Sequence, residues 1–315
     1  IIAGQSNSAN HGLPALSPTD PRVCATDGTT WGPAMDPQPI ATGSGGSPWP
    51  AFGDLFSARY NVPVGIMSVG WGGTRVEQWL PEHDSNLFSR LQRAADAFGE
   101  AGVRAVLWHQ GESDALANTS TQDYATRLAT VIESMRVHSG WTIPWGIARA
   151  AFLPQLTSPQ LEAVVSGQNQ VIETVPLVFE GPTTDDLLGE QWRYDTVHFN
   201  EMGLREHARR WVDVIVLPQC HGFEGVIDVE GCDELDAHDA GTTGVDVGVM
   251  DRDASTQMDM SVTIRDAVVG AQDTSPQSFP QPSDAQTRSA SCTCYSPSMG
   301  PFGSLLCAGL LMLMV

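Results

Sequence analysis

Short apolar runs alternate with longer amphipathic stretches along residues 1–216, the pattern of repeated strand–helix units. Ile1, Ile2 and Ala3 open the chain as a first strand. Further strand-like runs follow at 62–69, 103–107, 142–150 and 175–180. Helices are expected between them. Residues 85–102 place Leu87, Leu91, Ala94, Ala95 and Phe98 at helical spacing, and residues 120–138 turn Tyr124, Leu128, Val131, Ile132 and Met135 to one side, with Thr119 or Ser120 as cap. Residues 158–174 and 202–216 read the same way. Strands joined through helices run parallel and are covered on both faces, so the fold class is α/β with five parallel strands. Residues 10–47, rich in Pro, Gly, Thr and Asp, are expected to form a long loop over a site, where substrate selection could lie.

Beyond Leu217 the periodicity stops. All nine tryptophans precede it, and residues 237–300 are acidic, rich in Ser, Thr and Gly, and poor in apolar periodicity. Such a segment buries too little surface to offset its ordering entropy, so a disordered acidic spacer is expected. Residues 218–236 form a short extension holding Cys220 and Cys232, which could pair in an exported protein. The final 301–315 is apolar and uncharged. As a helix it would reach about 21 Å against a hydrocarbon core of about 30 Å, which suits a tether or sorting segment better than a full span. The chain starts inside its first strand without Met, so an export signal is expected upstream.

The formal charge of -21 argues against nucleic acid as a partner. All 16 cations are arginines, which excludes a lysine Schiff base. The cysteines at 24, 220, 232, 292, 294 and 307 have no zinc-like spacing, and the aspartates around Arg252 do not match a calcium loop, so neither metal nor cofactor is expected.

Four polar blocks carry the candidate chemistry, the first three of them directly after strand-like runs: Gly4-Gln5-Ser6-Asn7, then Gly70 to Trp79 with Gly72-Gly73-Thr74, then Trp108-His109-Gln110-Gly111-Glu112-Ser113-Asp114, and Asp195-Thr196-Val197-His198 before the last helix. Open α/β sheets bind ligands at the carboxyl ends of their strands. A serine hydroxyl attacks an ester when a neighbouring imidazole takes its proton, and glycines let backbone N–H groups approach a substrate oxygen. Plainer readings exist for each block. Gly72-Gly73 could be a turn, and Asp195 with His198 could cap the following helix. Glu112 and Asp114 would orient Gln110 or pair with Arg75. His109 reads as a packed histidine, and His11 as lining the pocket mouth or exposed. Trp71, Trp79 and Trp108 could stack on sugars or simply pack.

Together, in this order and spacing, the blocks resemble the SGNH hydrolases, and within them the carbohydrate acetylesterases that include the sialate O-acetylesterase domain and the acetylxylan esterases of carbohydrate esterase family 6. The resemblance covers residues 1–217. It implies a flavodoxin-like three-layer α/β/α sandwich around a five-stranded parallel sheet, with Ser6 as nucleophile, His198 as general base and Asp195 as its carboxylate. It also implies an oxyanion hole from Ser6 N–H, Gly73 N–H, with Gly72 as the alternative, and the Gln110 side chain, which stands where the wider superfamily has asparagine. Gln5, Asn7, Arg75, Trp79, His109 and Glu112 are implied as support or substrate contacts. The activity implied is removal of O-acetyl groups from sialic acid, xylan or a related glycan by an exported, surface-tethered enzyme. The alternatives are a lipase or thioesterase on other acyl esters, and a non-catalytic carbohydrate-binding surface protein.

Overall fold

The computed structural model describes residues 1–99 and 102–221, the last six as helical backbone only. The expected extension beyond His221, the acidic spacer, the apolar tail and the Cys220–Cys232 pairing lie outside the described residues. Four strands form a parallel sheet in the order β1 (Ile2–Gly4), β5 (Val106–His109), β6 (Trp145–Arg149) and β7 (Val178–Thr183). A second sheet, ordered β3 (Trp31–Pro33), β2 (Val23–Thr26) and β4 (Val64–Ile66), meets the first through one bridge from Ser68 to Ile2. There Ile2 N–H donates to Met67 O at 2.9 Å and Val69 N–H to Ile2 O at 2.8 Å. The five expected strands therefore run β4-β1-β5-β6-β7.

Alternation of side chains along these strands sends alternate residues into two cores. Ile1, Ala3, Val106, Trp108, Trp145 and Ile147 pack with Leu91 and Ala94 of α2 (Phe88–Phe98), Ala115 of α3 (Glu112–Leu116), Leu128 and Ile132 of α4 (Thr121–Ser139) and Val164 of α5 (Ser158–Thr174). Ile2, Ile66, Leu107 and Ala148 face the other way, onto Trp49 and Phe52 of α1 (Trp49–Tyr60) and Ala208 and Trp211 of α6 (Glu201–His221). This is the three-layer sandwich. Among the described residues no helix is long and apolar enough to cross a membrane.

Several boundaries differ from the sequence reading. The 10–47 segment is not all loop, because β2 and β3 form a hairpin-like pair in which β2 extends the sheet parallel to β4. Helix α2 starts at Phe88 rather than 85, since Asn86 has φ +54°, and it stops at Gly99, φ +52°. β7 begins at Val178 because Val175 still donates to Val171 O as the cap of α5 and Leu177 has φ +53°. α6 runs to His221, past the boundary expected at Leu217.

Candidate active site

Ser6 begins a short 3-10 turn, Ser6–Ser8, at the carboxyl end of β1, which lies between β5 and the segment that follows β4. The approach to it requires glycine. Gly4 has φ +125°, and a Cβ there would lie 2.1 Å from His109 O on the neighbouring strand. The turn is then tied to every other block. Gln5 N–H donates to His109 O at 3.0 Å and its side-chain Oε1 accepts Ser113 N–H at 3.1 Å. Trp71 N–H donates to Gly4 O at 2.9 Å. The Asn7 amide donates to Glu112 Oε1 at 3.0 Å and to Val197 O at 3.3 Å, so one side chain joins the serine turn to the third block and to the residue before His198.

The Asp195–His198 segment is a tight loop closed by a bridge between Arg193 and Phe199, with Thr196 at φ +70°. Asp195 Oδ2 is 2.6 Å from His198 Nδ1, and its Oδ1 accepts the backbone N–H of His198 at 2.6 Å and of Val197 at 3.0 Å. Burial pushes this carboxyl upward, but the His198 side chain and the two N–H groups outweigh it and its pKa lies below the ordinary aspartate value. With Nδ1 committed to Asp195, Nε2 is the His198 nitrogen left for proton transfer. Arg193 holds the loop from beneath: its guanidinium donates to Leu187 O at 2.7 Å, to Thr184 O at 3.2 Å and to Val197 O. The four blocks did not include this residue, although it stands only two positions before Asp195.

In the second block Gly72 N–H donates to Thr42 Oγ1 at 2.7 Å. Gly73 has φ +71°, and among the described residues neither its N–H nor that of Ser6 has an acceptor. Arg75 pairs with Glu77, and so with neither Glu112 nor Asp114.

Gln110 departs from its expected place. It is fully buried, and its amide nitrogen lies 2.6 Å from Asp114 Oδ2, 2.9 Å from Thr74 O and 3.3 Å from Gln5 Oε1, while its Oε1 accepts the Tyr124 hydroxyl at 3.0 Å. Two amide hydrogens face three acceptors, so none is open to a substrate oxygen. Gln110 braces the floor beneath Thr74, and Asp114 orients it, as the sequence suggested for that carboxylate. Trp79 also leaves the list of substrate contacts, being buried with its indole N–H on Thr74 Oγ1 at 3.1 Å and its ring edge-on to buried Trp108 at 5.4 Å. His109 is packed: its Nε2 is 2.9 Å from Thr184 Oγ1, its ring lies 4.6 Å from that of His207, and burial lowers its pKa to about 3. Glu112 is buried on Asn7, with burial raising its pKa to about 7. Trp71 stays exposed, with the Arg90 guanidinium 4.8 Å from its ring.

The family model described as "Carbohydrate esterase, sialic acid-specific acetylesterase" matches residues 1–216. A probable carbohydrate esterase of Arabidopsis thaliana is 26% identical over 162 residues, a match spanning 43% of this chain and 62% of that protein. Among solved structures, a protein from Arabidopsis thaliana superposes with a TM-score of 0.56 at 19% identity, covering 67% of this chain and 94% of the other, a likeness of fold. A carbohydrate acetylesterase from Xanthomonas citri gives a TM-score of 0.48 at 18% identity, covering 67% and 54%.

Proposed function

The chain belongs to the carbohydrate esterase family of sialic acid-specific acetylesterases, and from that premise we propose that it is a serine esterase removing acetyl groups from carbohydrate hydroxyls through Ser6, His198 and Asp195. The observation that carries the reading is the Asp195–His198 pair, docked by the Asn7 amide against the turn that presents Ser6. Ser6 Oγ attacks the acetyl carbonyl while His198 Nε2 takes its proton, and Asp195 steadies the resulting imidazolium through Nδ1. Negative charge growing on the carbonyl oxygen is met by the N–H groups of Ser6 and Gly73. Gly73 is preferred over Gly72 because Thr42 already occupies the Gly72 N–H. The imidazolium returns its proton to the departing sugar oxygen. Water then attacks the acetyl-serine with the same base, releasing acetate.

Sugar as the leaving group is supported by Trp71 and Tyr194, exposed rings at 41% and 47% beside the second block and the His198 loop. Such rings offer apolar faces on which sugar rings stack. Acetate release from acetylated xylan and from O-acetylated sialic acid is the test, run beside long-chain acyl esters. Ser6→Ala should abolish release while keeping the wild-type circular dichroism and melting temperature. Undiminished turnover in that variant, or a preference for long acyl chains, would overturn the reading.

A further inference from the structure

His11 lies outside the four blocks, yet its contacts reach both sides of the site. Its imidazole stacks on that of His198, with centroids 5.4 Å apart and planes inclined by 25°. On its other side its Nε2 is 3.3 Å from Thr42 Oγ1, the atom that accepts the Gly72 N–H. Gly72 comes so close that a Cβ there would stand 2.7 Å from His11 Nε2. Thr42 is itself held, donating its N–H to Gly70 O at 3.1 Å and accepting Asn10 N–H at 2.8 Å. The carbonyl of His11 accepts the Tyr194 hydroxyl at 3.0 Å, and the Tyr194 ring stacks on His198 at 6.3 Å.

Resting on the assignment of His198 as the base, we propose that His11 is a positioning residue, whose ring fixes the orientation of the His198 imidazole and ties it through Thr42 to the Gly72–Gly73 loop. A histidine held only by a carboxylate at Nδ1 can still tilt about that bond, and a ring stacked on its face removes the freedom. The contact also changes during the reaction. When His198 takes the Ser6 proton it becomes a cation within about 6 Å of a neutral aromatic face, the range in which such faces attract cations. That attraction is absent in the resting enzyme, so it lowers the barrier rather than strengthening substrate binding. A cationic His11 would repel instead. Burial first and His198 second shift its pKa downward from the ordinary histidine value, against the upward pull of Asp195, which favours the neutral ring.

The experiment uses the full chain and 4-nitrophenyl acetate, a small ester that needs no sugar contacts. His11→Ala should lower kcat about tenfold with KM held within about twofold, a barrier change of about 1.4 kcal/mol. His11→Phe keeps a ring face without a ring nitrogen and should recover kcat to within about threefold of wild type, whereas His11→Gln should stay as slow as His11→Ala. The comparison of Phe with Gln decides the matter even where His11→Ala melts early. Wild-type kcat in His11→Gln, no recovery in His11→Phe, or a loss carried by KM would overturn the proposal. A Ser6→Ala variant in parallel separates the two assignments: if it turns over the ester normally, the esterase reading has failed, while an inactive Ser6→Ala beside a fully active His11→Ala sinks the positioning role alone.

Discussion

Residue by residue, the site is built from groups whose neighbours set their chemistry. Glu112 is the clearest case. Its pKa is raised from 4.5 to about 7 by burial, which outweighs the hydrogen bonds from its own backbone N–H and from Asn7. Below pH 4.5 it is protonated in both folded and unfolded chains. Between 4.5 and 7 the unfolded chain ionises first, so the stability it contributes is lost as pH rises through that window. Glu112→Gln, neutral throughout, should remove a fall of up to about 3 kcal/mol from the difference between pH 4.5 and pH 8. Denaturant titrations of both proteins across that range measure it, and identical pH dependence would contradict the assignment. Gln110 gives a second test. Gln110→Ala strips partners from Asp114, Thr74 and the Tyr124 hydroxyl and should reduce unfolding free energy by about 1–3 kcal/mol. Unchanged stability with a large loss of kcat would return Gln110 to the oxyanion hole.

At the scale of elements, the helices with long amphipathic patterns were the most legible. α4 and α5 follow their apolar spacing closely, with Ser120 capping the first through Asp123 N–H. What the pattern missed was short or embedded. β2, β3 and α1 lie within or next to a stretch whose Pro and Gly content reads as loop, and β2 acquires its strand character from pairing with β4. Helix α1 packs against β2 so closely that a Cβ on Gly53 would sit 2.1 Å from Val23 Cγ1. In an exposed helix Gly→Ala stabilises by about 1 kcal/mol. Here Gly53→Ala should instead destabilise by about 1–3 kcal/mol, and adding Val23→Ala should recover part of the Gly53→Ala loss. Urea unfolding of the two single variants and the double variant tests this; a stabilised Gly53→Ala would show that the two elements are not in contact.

For the whole molecule, the described domain carries all four blocks. The acidic balance belongs to this scale too: 13 arginines face 23 acids up to Val216, and 3 face 14 beyond it. The arginines that ring the site are largely spoken for, Arg75 by Glu77 and Arg193 by backbone carbonyls.

The amino-acid sequence by itself determined the alternation of strand and helix, the parallel sheet that follows from it, and the placing of three polar blocks directly after strands, because burial periodicity and chain connectivity are local properties. Gly4 was legible as part of a motif. That its φ of +125° and its approach to His109 require glycine emerges only with β5 alongside. Tertiary structure alone decided which donors stay free. Thr42 takes the Gly72 N–H, three acceptors take the Gln110 amide, and His11 stacks on His198. It also sorted the tryptophans, burying Trp79 and Trp108 and exposing Trp71. Partners far apart in the chain are chosen by packing, and no spacing along the sequence encodes them.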